Sequence, residues 1–325
     1  MSSADDALGP TNARRRVEVV IVAEERTSRT AAVRGYMREL WLDKPAFLAA
    51  IVLFLFLITA VFGSLVAPHS PTRQNLLGHL EPPAWKSHDW SHVLGTDALG
   101  RDVLSRLIYG CRTTLLIGVS VVLIAGTVGV LAGLIGGYRG GRTDAIIMRT
   151  IDTQFAFPGL LLAITIITMM GPGVKSLIVV LSIGAWMLFA RMARAAVLAA
   201  KEEQYVEAAI IAGAKERRVI FRHLLPNLIS PLLTLAVLEF AVVVLAEASL
   251  SFLGLGVQDP NTSWGLEIAN GRKYILSAWW LITFPGVTLA LVVLSSNLVA
   301  GWLRVAADPQ ARDKRFAGSA EGSVL

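Results

Sequence analysis

The chain has 325 residues, of which 54% are hydrophobic and 17% charged, with a formal net charge of +6. Ordinary soluble domains are about a quarter charged, so this balance points to lipid rather than to nucleic acid, and in a membrane protein the placement of basic residues matters more than their sum. The lone cysteine, Cys111, excludes an internal disulfide and a Cys-rich metal site.

Residues 1–33 are polar, include Arg14, Arg15 and Arg16, and hold too little apolar material for a core, so they read as a disordered tail. More than forty residues precede the first apolar run, which excludes a secretory signal and predicts that the first span stays in the mature protein. In 34–45, Tyr36, Met37, Leu40, Trp41 and Leu42 alternate with Arg34, Arg38, Glu39 and Lys44, a pattern that suggests an interfacial helix.

Charge-free runs at 45–68, 113–138, 153–174, 176–190 and 274–303, with a further span interrupted by Glu239 and Glu247, predict six crossings, the first at 46–67. About 20 apolar residues cover about 30 Å of hydrocarbon. The run at 176–190 is short, but Lys175 and Arg191 at its edges can reach the headgroups. With the N-terminus in the cytoplasm, 22 of the 30 Lys and Arg fall on that side, so the positive-inside rule puts both termini there, the second within the tail 304–325.

The external segment 68–112 contains Thr96 or Asp97 as a cap for an amphipathic helix with Leu99, Val103, Leu104, Leu107 and Ile108 on its apolar side. Small residues crowd the second span, among them Gly126, Gly129, Gly133 and Gly137, which fits close helix packing in lipid. Pro158, Pro172 and Pro285 are expected to bend or end helices. The glycines at 136–141 precede no Lys in a phosphate-loop pattern, so they read as a helix terminus and turn.

The segment 201–227 is too long for a turn and repeats its polarity at helical spacing. Residues 204–214 predict one short helix stopped by Gly213, and 215–225 a second, ended by Pro226. The first has small Ala208, Ala209 and Ala212 on its surface and no core of its own, while Tyr205, Val206, Ile210 and Phe221 can act as apolar anchors in a partner's groove. Read without a partner, the same segment is a solvated basic loop.

The pattern Glu207-Ala208-Ala209, then Gly213, then Leu225-Pro226 resembles the coupling loop of bacterial binding-protein-dependent ABC importer permeases. His223, where that family usually has an apolar residue, is similar to the dipeptide and oligopeptide branch. Leu94 to Asp97 with Gly100 to Arg106, Glu247 to Gly256, and Ser263-Trp264-Gly265 resemble the C-type subunit of that branch. The resemblance implies an all-α integral membrane protein of the type I (MetI-like) importer fold, with a five-helix core at 113–303. It also implies residence in the bacterial plasma (inner) membrane. The implied partners are a homologous second permease, two cytoplasmic ATPase subunits and an external or lipid-anchored solute-binding protein. Tyr205, Glu207, Ala208, Ala209, Gly213, His223, Leu225 and Pro226 become the ATPase-coupling residues. The chain itself is then no enzyme and binds no cofactor, ATP and Mg belonging to the ATPases. Implied cargo is di- or oligopeptide, with nickel chelates, haem or another small solute as alternatives.

Glu239, near the middle of the fifth span, and Glu247, nearer its outer end, are candidates for the pathway, weighed against interhelical packing. His88 and His92 have the i, i+4 spacing of a metal pair, but Pro-rich flanks argue against a helix there and the sequence offers no obvious third ligand, so no metal site is expected. Trp264, Trp279 and Trp280 suggest an interfacial aromatic belt. A stand-alone secondary transporter or channel is the reading from another class, and inverted repeats would favour it.

Overall fold

The computed structural model describes residues 39–307. The tail at 1–33 and residues 308–325 lie outside this range, as does the start of the expected interfacial helix, residues 34–38. Residues 39–42 of that helix are helical, with Trp41 and Leu42 exposed.

Helix α1 (Lys44–Val66) is started by Asp43, whose carboxylate accepts from the Ala46 amide, and by a proline in its first turn. It buries only Ala46, Ala49 and Gly63, while Val61, Leu65 and Phe54 face outward, as a lipid-facing helix requires. α2 (Val103–Arg139) has 37 residues, about 55 Å at 1.5 Å each, so it extends well beyond about 30 Å of hydrocarbon. It is joined at Gly140 to α3 (Gly141–Phe155), followed by α4 (Gly159–Met170) and α5 (Val174–Lys201). The 201–227 segment contributes α6 (Gln204–Ile211) before α7 (Leu225–Phe252); α8 (Trp264–Gly271) and α9 (Trp280–Ala307) complete the bundle. Among the described residues no strand forms, and one isolated bridge joins Thr96 to Asp102.

Five helical stretches are long and apolar enough to cross a membrane, and a sixth crossing exists only if α3 and α4 count together. The expected third span at 153–174 is a bent pair of helices rather than one straight helix. Its first residues finish α3, the chain bends by 89°, and α4 has only 12 residues, about 18 Å. Pro158 explains the break, since the residue before a proline is pushed out of the helical region. Pro231 and Pro285, by contrast, sit inside continuous helices.

The amphipathic helix expected from Thr96 or Asp97 is also corrected. Gly100 has φ 70, which a helix cannot hold, so α2 starts at Val103 with Asp102 as its cap and runs unbroken into the membrane. Arg191 pairs with the exposed Asp152 at 2.7 Å and lies over the Phe155 ring.

The core forms where α2 crosses α5. A Cβ on Gly129 would lie 2.3 Å from the Trp186 carbonyl oxygen, and one on Gly133 2.4 Å from that of Ala190. Only glycine permits that approach, and close backbone contact is what holds helices together in lipid. Around it pack Ile117, Val121, Ala125, Leu177 and Phe189.

Candidate functional site

The 201–227 segment is held to the bundle at a few points and otherwise offers its surface. Val206 of α6 is fully buried with Leu134 of α2, Val197 of α5 and the Val219, Ile220 and Leu224 that follow. Lys201 donates to the Tyr138 carbonyl at 2.7 Å, Arg139 pairs with Glu216 at 2.8 Å, and the Asn227 amide donates to the Tyr205 hydroxyl at 2.9 Å. These contacts join the segment to α2, α5 and α7 together.

Gly213 ends α6 with φ 77, and the Ala214 amide donates back to the Ala209 carbonyl at 3.0 Å. That six-to-one bond with a left-handed residue inside it is the Schellman stop. Glu207, Ala208, Ile211, Ala212 and Gly213 are exposed, and nothing lies within 4 Å of the Cβ that Gly213 lacks. Beside them Gly213, Lys215, Arg217, Arg218, Phe221 and Arg222 line a cleft of about 760 Å³. The arrangement is a short rigid helix with a bare small-residue surface beside a basic, apolar-floored groove.

The second helix departs from expectation. Only Glu216–Arg218 is α-helical, Val219–Leu224 forms a π-helix, and Pro226 does not end it but stands in the first turn of α7. A proline is tolerated there because a first-turn amide needs no partner. His223 is half-buried in the π-turn, with its carbonyl accepting from Asn227. Leu225 is half-buried and Pro226 exposed.

At the other end of α2 the motif residues meet in a polar knot that the sequence did not assemble. Asp97 accepts from the Leu99 and Arg101 amides and from the Arg101 side chain at 2.6 Å. Arg106, fully buried, reaches Glu267 at 2.7 Å, the Pro71 carbonyl at 3.0 Å and Asp259 at 3.4 Å. The Trp280 indole donates to the Thr96 carbonyl and that of Trp264 to the Leu107 carbonyl. Trp264 and Trp280 are therefore buried hydrogen-bonding struts, and only Trp279 keeps the exposed position expected of an aromatic belt. Repeated Asp and Arg in 97–106 were the available signal, but the partners Asp259 and Glu267 lie more than 150 residues away.

Glu247 is fully buried, accepting from the Ser251 hydroxyl at 2.7 Å and that of Thr114 at 3.4 Å, which ties α7 to α2. Glu239 is 6% exposed in the middle of α7. A cleft of about 880 Å³ opens elsewhere, between α3, α4 and α5, and is lined by Arg142, Ile146, Arg149, Gln154, Phe157 and Ile183 among others. His88 has φ 62 at the end of a four-residue helix, so the i, i+4 spacing does not set it and His92 on one helix face. His92 lies instead against Asp102 and His69.

Apolar spans closed on glycine contacts, with one short exposed helix clamped to three of them, define a membrane-embedded helical bundle. The chain belongs to the family described as binding-protein-dependent transport system inner membrane component, which matches residues 129–313. Residues 34–83 match the N-terminal TM domain of oligopeptide transport permease C. A di/tripeptide transport system permease protein of Pseudomonas aeruginosa is 40% identical over 282 residues, 85% of this chain and 93% of that protein. A dipeptide transport system permease protein of Escherichia coli is also 40% identical, covering 82% and 90%. Among solved structures, the inward-facing methionine ABC transporter MetNI has a chain with a TM-score of 0.50 at 19% identity, covering 63% of this chain and 94% of that one, a likeness of fold alone. The protein is thus a multi-span permease subunit with the MetI-like fold, and not an enzyme.

Proposed function

We propose that this chain forms half of the translocation pathway of an ATP-binding-cassette importer for di- and oligopeptides, paired with a homologous second permease. Peptide cargo is supported by the names of relatives that align over more than four fifths of the chain. The observation that carries the mechanism is the exposed surface of α6 joined rigidly to three spans. Two cytoplasmic ATPases, which hold the ATP and Mg, close against Glu207, Ala208, Ala209 and Gly213. The push passes through Val206 and the 219–224 π-turn into α2, α5 and α7 as a rigid-body motion. Tyr205, His223, Leu225 and Pro226 position this lever and carry no chemistry.

The cleft between α3, α4 and α5 is assigned to the face shared with the second permease. Burial of Glu247 among its own helices supports a packing role for it, and Glu239 is given a secondary part at the pathway wall. Unchanged uptake of every peptide by Glu239→Gln removes that part. Charge distribution supports cytoplasmic termini. The test is reconstitution of the full complex with its solute-binding protein in liposomes: dipeptide uptake should require ATP inside. Uptake by this chain alone, driven by an ion gradient, overturns the reading.

A further inference from the structure

Before α2 begins, three segments distant from the coupling loop bring their side chains to one point. His69 follows the end of α1, His92 comes from the turn after the four-residue helix at 84–87, and Asp102 caps α2. The His92 Nδ1 lies 3.1 Å from Asp102 Oδ1, the His69 Nδ1 lies 3.8 Å from Asp102 Oδ2, and the two imidazole rings are 4.8 Å apart. All three donor atoms fall within 4.8 Å of one another.

A hydrogen-bonded cap accounts for part of this. Asp102 Oδ2 accepts from the Ser105 amide at 2.8 Å, and Oδ1 faces His92. It does not account for His69. Its backbone amide is fixed by the Ser105 hydroxyl at 3.0 Å, yet its Nδ1 is buried without a hydrogen-bond partner and directed at the same carboxylate. Burying a nitrogen that could bond water is unfavourable, so the position calls for something that accepts its lone pair.

We propose that His69, His92 and Asp102 form a zinc site, a function beyond the transport reading. Two imidazole nitrogens and one carboxylate oxygen are a borderline donor set suited to Zn²⁺, which takes such ligands at about 2.0–2.2 Å in a tetrahedron. Tetrahedral geometry at those lengths sets ligands about 3.4 Å apart. The His92 to Asp102 distance is already close to this, and His69 needs a shift of about an ångström. The segments are held for it: a Cβ on Gly100 would meet the Asn75 carbonyl oxygen at 1.8 Å, so the 69–75 strip is pressed against the turn that presents Asp102. A cleft of about 410 Å³ lined also by Arg73, Gln74 and Asn75 leaves room for water as the fourth ligand. The exposed Arg73 is the one cation lining that cleft, and it stands opposite a site whose only charge is the Asp102 carboxylate. Zinc here clips the segment after α1 to the start of α2.

The assembled transporter in lipid nanodiscs tests this with Zn²⁺ alone, without ATP or peptide. Wild type should bind one more Zn²⁺ per copy of this chain than His69→Gln or Asp102→Asn, the latter keeping a competent helix cap. Losing a partner outside the ligand shell already costs about 10- to 100-fold in metal affinity, so losing a ligand should cost at least that. Co²⁺ substituted at the site should give the strong visible bands of tetrahedral coordination. Equal Zn²⁺ binding by wild type and both variants overturns the site. If neither variant assembles, hydrogen exchange on wild type decides: Zn²⁺ should slow exchange in residues 69–75 and 92–105, and unchanged exchange there overturns the proposal equally.

Discussion

The two ends of α2 are built on opposite physics. At its start, Arg106 is fully buried and fixed by Glu267, Asp259 and the Pro71 carbonyl, partners from other parts of the chain. At its far end the 201–227 segment is anchored by apolar contacts around Val206, and its charges and small residues remain at the surface. A buried ion pair tolerates little motion, because separating it leaves an uncompensated charge. An apolar hinge with a bare outer face can move as a unit and receive a partner. The difference teaches that this permease is locked at one end and offered at the other.

The largest expected effect breaks the locked end. Arg106→Ala leaves the buried Glu267 without its cation, while Asp259 keeps Arg101 at 2.9 Å, and should destabilise the protein by about 3–5 kcal/mol. The check is the melting temperature of the purified complex and its level in membranes, and wild-type stability would show that the knot is dispensable. Gly213→Val probes the offered end. Holding a β-branched residue at φ 77 costs about 1–2 kcal/mol, and the added Cβ meets nothing within 4 Å among the described residues. The variant should therefore insert normally while its ATP hydrolysis no longer drives uptake, measured as peptide transported per ATP. A coupled ratio equal to wild type would dissolve the distinction between the ends. The smallest effect belongs to Arg139→Ala. Its pair with Glu216 is more than a third exposed on both sides and is worth at most about 1 kcal/mol, so stability should hardly change.

Much of the architecture was legible because apolar runs and glycine spacing act locally. The first span, the small-residue second span and the stop at Gly213 all follow from neighbours in sequence. The bend at Pro158 was visible as a proline, but the shortness of α4 was hidden by apolar residues that continue past it. Trp264 looked interfacial by composition, whereas its indole finds the Leu107 carbonyl 157 residues away. His69 and His92 escaped notice as a pair for the same reason, since spacing along a helix was the only pattern by which two histidines could be joined. The residues proposed for coupling were picked out by motif, yet the π-turn that lets Pro226 continue the helix left no sequence signal.

The central claim is that the exposed side of α6 is the ATPase docking surface. Cys111, the one native cysteine, is 1% exposed, so Ala208→Cys introduces a single reactive thiol on that side. Maleimide labelling of this variant should be fast for the permease pair alone and strongly slowed when the ATPase subunits are bound. Equal labelling rates with and without the ATPases would contradict the account.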